Sequence, residues 1–503
     1  MKLDEFRNYF EQIDTGETFY ARPIFNNEFM GRLGELFGEA KYDKFKTLID
    51  NDDIIGLKDF LKKNYRITEK SSKHRFYTQK VYIEFDIILN EKPDFERPYY
   101  LGFHSNSIPL HKVIEILQVY FDNDKSNFWL TGEIITNNTR HAIDDLPFYI
   151  SGNLMFVASP ISEKTVTLHI LKETTDIKSK AELNALLINH YDDYYDKLYH
   201  DNMPLTEKDI PISAKGIKCY NIGQGNCIEI IGDAYNVPIF FDVGLTKYKT
   251  ERNQNEIIKS INNLKERTPS IIILSHWDTD HILGLSLWGQ EIYNGKWIVP
   301  DLHSLWYKKK NNSNNNPQER KTKQVSSYAF RIFLKLIQVK TNQVYIISED
   351  LKQTCIYKKN SNNTSAIEIW TGIRKNSGSK NTHIINRANN FGLIMMLHGS
   401  YQNAILCGDC DYSVIPKSLI EKDYGCVVVS HHGSKMSSFP FKPQSNSDSV
   451  AIISYGLSNT FGHPDESKIA EISNNGYQII PTIRFSEYQV DIQFKDRTRI
   501  QGI

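Results

Sequence analysis

A chain of 503 residues is long enough for roughly two to four domains and for a core that can hide a site. Lys plus Arg number 60 and Asp plus Glu number 60, so no net field draws the protein to nucleic acid or to an anionic membrane, and such contacts need a local patch. No stretch approaches about 18 uninterrupted apolar residues, and Met1 to Gln12 lacks the basic start and apolar centre of a secretory signal, so a soluble cytoplasmic protein without a membrane span is the expectation.

Met1 to about Asp209 mixes helical and strand-like patterns and reads as a separate α+β domain, 1–209, of unknown role. Phe45 to Tyr65 and Ile108 to Phe121 have helical spacing; Lys80 to Leu89 and Thr165 to Leu171 alternate as strands do. Between Ala181 and Tyr199 a stripe including Tyr191, Tyr194, Tyr195 and Tyr199 suits a core or interface face before it suits base stacking. His104, His111, His141 and His169 show no ligand spacing. Nothing in this half states a function, which leaves recognition of a protein partner open to it.

The polar, Pro-containing passage Asp201 to Lys215 reads as a linker into a second domain, 210–503. Gly216 to Ile231 is a strand, the Gly-rich turn Gly223-Gln224-Gly225-Asn226, and a second strand. Pro238 to Val243 is a strand ending in Asp242, and Glu251 to Lys265 has helical spacing. The apolar run Ile271 to Leu274 then delivers Ser275-His276-Trp277-Asp278-Thr279-Asp280-His281. Two imidazoles and two carboxylates within six residues are more than a helix cap or a core requires. Lys308 to Lys323 is a low-complexity basic run that reads as a solvated loop, with a phosphate track as the rival reading. Val325 to Val339 is helical in pattern, and strand-like runs follow at Val344 to Ile347, Ala366 to Trp370 and Leu393 to Leu397.

Three later apolar strands also end in polar chemistry. Ala404 to Cys407 leads to Asp409, Cys426 to Val429 leads to His431 and His432, and Ala451 to Ser454 precedes Phe461-Gly462-His463-Pro464. Strand ends hold side chains rigidly while leaving them accessible, so the repetition points to one assembled site. The six cysteines lie mostly in or beside apolar runs, which suits reduced thiols; Cys407 and Cys410 have redox or zinc spacing but read as packing residues beside Asp409.

The ordered stretches GQGN, FFDVG, SHWDTDHILG, Asn389-Asn390, LCGD, SHHGS and FGHP resemble the metallo-β-lactamase superfamily, and within it the hydrolase domain of ComEC-like DNA-uptake proteins and related phosphodiesterases. The resemblance covers about residues 216–503. It implies an α/β fold, a metallo-β-lactamase-like αββα sandwich with a metal site on one edge of its paired sheets. It also implies a metal-dependent hydrolase, a phosphodiesterase or nuclease using a metal-bridged hydroxide, with a small phosphoester or cyclic-nucleotide hydrolase and a metal-stabilised regulatory or binding module in nucleic-acid defence as alternatives. His276 and Asp278 are then assigned to a first divalent ion, Asp280, His281 and one of His431 or His432 to a second, and Asp409 to the bridge. The chain departs from the commoner pattern at Asp278, where His is usual, and by placing Asn389-Asn390 near the usual third histidine.

With a hydroxide, Asp278, Asp280 and Asp409 neutralise two divalent ions, which lets a phosphodiester anion approach without repulsion. Three carboxylates make the ligand set hard, so Zn2+ or Mn2+ is expected. The paired histidine that is not a ligand, or His463, is the candidate to orient substrate or pass a proton. Ser434, Lys435 and Asn390 are candidates to hold the phosphate, Lys435 being equally a surface lysine. Trp277 offers either a base-stacking face or packing under the loop.

Overall fold

The computed structural model describes residues 205–233, 237–246, 254–302, 343–348, 351–359, 366–372, 391–445, 448–457 and 463–493, together with six strands within residues 18–173 and scattered helical positions. The chain forms two compact units, one of Met1–Phe156, Ser162–His190 and Leu305–Tyr328, the other of Val157–Ile161, Tyr191–Ser304 and Ala329–Ile503. Among the described residues no helix is long and apolar enough to cross a membrane.

In the first unit, β1 (Thr18–Ile24), β2 (Lys80–Leu89), β3 (Leu101–Pro109), β4 (Leu130–Ile135), β5 (Phe148–Phe156) and β6 (Ser162–Glu173) close into a barrel in the order β1-β2-β3-β5-β6-β4. Phe19 and Ala21, Phe85 and Ile87, and Val166 and Leu168 are buried at alternate positions, the period-two pattern of a half-buried strand. Phe85 and Phe103 face each other across β2 and β3 with ring centroids 6.2 Å apart. Lys80 to Leu89 is the strand its alternation predicts, and Gly56, Asp59, Phe60 and Lys63 are helical within Phe45 to Tyr65. Ile108 belongs to the end of β3, so the helix expected from that residue does not begin there. The rest of that stretch, the tyrosine stripe, Lys308 to Lys323 and Asn389-Asn390 lie outside the described residues.

The second unit contains two seven-stranded sheets. The first has β7 (Ala214–Tyr220), β8 (Cys227–Gly232), β9 (Ile239–Val243), β10 (Ile271–Ile273), β11 (Lys296–Pro300) and β12 (Val344–Ile347). The second has β13 (Cys355–Lys358), β14 (Ala366–Thr371), β15 (Leu393–His398), β16 (Asn403–Leu406), β18 (Cys426–Val428), β20 (Val450–Ile453) and β21 (Gln478–Pro481), while β17 (Asp423–Tyr424) and β19 (Lys442–Pro443) form a small separate pair. The last strand, β22 (Glu487–Asp491), returns to pair antiparallel with β7. Its alternating Tyr488, Val490 and Ile492 are buried, but the polar letters between them conceal the strand from a linear reading.

One continuous core joins the sheets face to face, with Phe241, Ile273, Ile298 and Val490 from the first and Ile369, Met395, Leu406, Val428 and Ile452 from the second. The outer face of the second sheet is also buried, by Leu419, Phe439 and Ile472, the last from the helix Glu466–Asn474. On the outer face of the first, Phe240 lies 5.9 Å from Trp288, whose indole N–H donates to the Leu264 carbonyl of the helix Gln254–Lys265. Helices therefore cover both outer faces, which is the αββα sandwich. β9 to β12 run parallel, as do β16, β18, β20 and β21, so each sheet gathers several strand ends at one edge.

The passage read as a linker is built into this unit from residue 205 onward. Ile210 and Ile212 are fully buried between the sheets, and Asp209 accepts from Lys296 Nζ at 2.8 Å and Tyr345 Oη at 2.7 Å. Two apolar side chains at alternate positions outweigh the polar surroundings that suggested a linker.

Candidate metal centre

The centre begins with a clamp between the ends of β9 and β10. Asp242 closes β9 in the left-handed region, φ 59°, which Asp tolerates better than most residues. Its buried carboxylate accepts from the Ser275 amide at 2.6 Å and the Ser275 hydroxyl at 2.7 Å. Trp277 is buried, donates from Nε1 to the Pro300 carbonyl at 2.8 Å and meets Phe333 edge-on, so it packs beneath the loop and offers no base-stacking face. Asp278 occupies the cap position of the helical turn Thr279–Ile282 without a side-chain cap bond; its Oδ2 lies 3.4 Å from His276 Nε2. Gly225 and Gly244 pack against the Asp280 carbonyl where any Cβ would collide with it.

Hydrogen-bond chemistry fixes the protons on three imidazoles. His281 Nδ1 lies 2.7 Å from Asp242 Oδ2, a carboxylate that only accepts, so Nδ1 carries the proton. His432 Nδ1 lies 2.7 Å from the Ser454 carbonyl, which likewise only accepts. His276 Nδ1 is 2.9 Å from Ser275 Oγ, whose single proton is directed to Asp242, so the hydroxyl accepts here. Each ring thus turns its Nδ1–H outward and its Nε2 inward.

Those inward nitrogens meet carboxylates. His281 Nε2 is 3.2 Å from Asp409 Oδ1, His276 Nε2 is 3.7 Å from Asp409 Oδ2, and His432 Nε2 is 3.1 Å from Asp280 Oδ2. His276 Nε2, His281 Nε2 and Asp409 Oδ1 are buried without a hydrogen-bond partner, a costly arrangement unless a cation stands among them. Two groups have ligand atoms all within 4.8 Å of one another, His276, His281 and Asp409, and Asp280, His281 and His432. One Nε2 lone pair cannot serve two ions, so His281 belongs to one group at a time.

In the protein alone, protons supply the missing charge. Burial opposes ionisation of Asp409, but the imidazoles of His281, His431, His432 and His276 hold its carboxyl well below the ordinary range. Burial likewise opposes charge on His281, yet Asp409 and Asp242 push it well up; His432 is raised by Asp409 and Asp280 against the same penalty. A cation bound here would displace those protons.

His431 and His463 stand beside the ligand groups. His431, His432 and Gly433 are all left-handed, with φ 49°, 54° and 76°, and this turn points the two rings differently. His431 Nε2 is 3.7 Å from Asp409 Oδ2, and its side chain is 31% exposed. His463 lies 5.4 Å from His431, centroid to centroid; burial and the neighbouring imidazoles push its pKa down to about 3, so it is neutral at pH 7. Ser434 is buried, its N–H donating to the His431 carbonyl at 2.9 Å, whereas Lys435 is exposed. Asn390 lies outside the described residues. Cys407 and Cys410 are buried thiols, not disulfide-bonded, in the outer core, where burial raises both.

The structure therefore gathers His276, Asp278, Asp280, His281, Asp409, His431, His432 and His463 at one sheet edge. Sequence reasoning missed the roles of Asp242, Ser275 and Ser454. Asp242 carried a usable signal, a carboxylate at the end of an apolar strand as at Asp409; a serine after a strand carries none.

No protein-family model matches the chain, and no curated protein matches it. Among solved structures it is similar to Zn2+-bound PqqB from Methylobacterium extorquens, with 9% identity, TM-score 0.28, and coverage of 53% of this chain and 87% of that one. It is also similar to a possible metal-dependent hydrolase from Veillonella parvula, with 11% identity, TM-score 0.27, and coverage of 56% and 88%. Isothiocyanate hydrolase from Delia radicum gut bacteria gives 9% identity, TM-score 0.31, and coverage of 55% and 100%. At such low scores these likenesses bear no weight in assigning a function.

Proposed function

We propose that this chain is a metal-dependent hydrolase of the metallo-β-lactamase type, ComEC-like in its motifs, that cleaves a phosphodiester. The observation that carries the metal is the inward set of Nε2 atoms facing buried carboxylates, with His276 Nε2, His281 Nε2 and Asp409 Oδ1 unpartnered. In this reading His276 and Asp278 would hold one divalent ion, Asp280, His281 and His432 would hold the other, and Asp409 would be a further ligand. When bound, Zn2+ or Mn2+ lowers the pKa of a coordinated water towards ~7 and polarises the phosphoryl oxygen.

The chain's own groups do the remainder. Asp242 and Ser275 fix the His281 and His276 rings. His463, kept neutral, donates a hydrogen bond to a phosphoryl oxygen, and the more exposed His431 stands ready to relay a proton to the leaving oxygen. Lys435 supplies a cation at the rim for the phosphate. With the charge of the ions balanced by the carboxylates, an anionic substrate would meet no net repulsion.

The test is metal analysis of the purified full chain followed by turnover of bis-p-nitrophenyl phosphate and of single- and double-stranded DNA. Metal-dependent cleavage is expected; no turnover of any of the three would remove the phosphodiester from the proposal. A polymer substrate shows affinity falling steeply with salt, whereas a small phosphoester or cyclic nucleotide responds weakly.

A further inference from the structure

The Gly-rich turn Gly223-Gln224-Gly225-Asn226 contributes no ligand, yet it lies against both halves of the centre. Asn226 N–H donates to the Asp280 carbonyl at 3.3 Å, and the Gly225 carbonyl accepts from the Ser454 hydroxyl. The Ser454 carbonyl accepts from His432 Nδ1 at 2.7 Å, and His432 Nε2 returns to Asp280 Oδ2 at 3.1 Å. These contacts close a ring through Asp280, His432, Ser454 and the turn. Asp280 and the turn come from the first sheet, His432 and Ser454 from the second.

We infer that Ser454 is a positioning residue that sets the separation and tautomer of the Asp280–His432 ligand pair by fastening the loop after β20 to the Gly-rich turn. The inference rests on the metal reading above and adds a residue to it. Ser454 engages both partners at once: its backbone carbonyl holds the His432 proton on Nδ1, and its side chain holds that carbonyl in place through Gly225. Gly456 N–H also approaches Gln224 Oε1 at 3.4 Å, so the same loop meets the same turn a second time. Ser454 is 6% exposed, and Gly225 packs so closely on the Asp280 carbonyl that no Cβ fits, which leaves the turn little room to shift alone. Removing the hydroxyl frees the loop, and with it the His432 ring, from the Asp280 side of the centre.

The consequence is selective. Loss of the hydroxyl weakens the ion held by Asp280 and His432 and leaves the ion held by His276 and Asp278 nearly unchanged. The test is Zn2+ competition against a chromophoric chelator with the full chain, comparing wild type, Ser454→Ala, Ser454→Thr and Ser454→Val, alongside melting temperatures of the metal-free proteins. Thr and Val have nearly one shape and differ in the hydroxyl, so they keep the comparison valid if the Ala variant folds poorly. A loss of roughly 10- to 100-fold in affinity for one Zn2+ equivalent in Ala and Val, restored in Thr, is expected. Equal affinities for both equivalents in Thr and Val, or a lower melting temperature with both affinities kept, overturns the inference and leaves the metal reading intact. A wild-type protein that takes up no Zn2+ removes both.

Discussion

Glu368 and Asp409 are two buried carboxylates of the second sheet, and their surroundings separate a structural charge from a chemical one. Glu368, on β14, accepts from Trp370 Nε1 at 3.0 Å and lies 3.1 Å from Lys358 Nζ, 3.5 Å from Lys422 Nζ and 3.2 Å from His398 Nε2. Asp409 meets the imidazoles of His276, His281 and His431, and its Oδ1 has no hydrogen-bond partner. Burial penalises both charges, and both carboxyls nevertheless sit below the ordinary range. Lysines bring permanent cations to Glu368 and complete it. The imidazoles around Asp409 carry charge only with a proton, which a bound cation would replace.

That contrast breaks most readily at Asp409. Asp409→Asn should strip bound metal from the purified protein and lower bis-p-nitrophenyl phosphate turnover by ~10³-fold or more, on the order of 4 kcal/mol in the barrier. Elemental analysis and initial rates measure it, and wild-type rates in this variant would exclude Asp409 from the chemistry. Asp242→Asn keeps a residue tolerant of positive φ but deprives the His281 N–H of its carboxylate. Roughly 10- to 100-fold weaker metal binding is expected by chelator competition, with the fold retained by circular dichroism.

At Glu368 the effect moves from metal to stability. Glu368→Gln should cost about 1–3 kcal/mol in denaturant unfolding, less than a fully buried pair because Lys358 is half exposed, and metal stoichiometry should not change. The pH dependence has a definite sign. The folded pKa of Glu368 lies below its unfolded value of about 4.3, so its contribution is fully present above that pH and is lost as pH falls towards the folded value. The Gln variant should therefore show a flatter acid limb in melting temperature below about pH 5; parallel limbs would assign the loss to other carboxylates. At Trp277, Phe keeps one aromatic ring but loses the bond to Pro300 and part of the indole's buried volume. About 1–3 kcal/mol of stability and no change in DNA affinity are expected, since the indole is buried under the loop.

The legible part of this molecule follows from local chemistry. Short apolar runs such as Ile271 to Leu274 and Cys426 to Val429 need burial on both faces, so they mark strands, and a polar residue just beyond such a run marks a loop end. β12 was readable to the residue, and Asp409, His431 and His432 stood out as strand-end chemistry. β22 was not readable, because Glu487, Gln489 and Asp491 dilute its apolar letters and only pairing with β7 supplies the ladder. The buried pair Ile210 and Ile212, just before β7, was hidden among polar neighbours in the same way.

The amino-acid order by itself determined that His and Asp residues accumulate after buried strands, and hence that a metal-binding constellation was available. Which atoms face one another was decided only by the packed sandwich. Residues as far apart in sequence as Gly225, Asp280, His432 and Ser454 meet because two sheets present their strand ends at one edge. The outward acceptors Asp242, Ser275 and Ser454 then assign each imidazole proton, and no spacing rule contains that information: a ring nitrogen becomes a ligand when the fold gives its partner nitrogen somewhere else to donate.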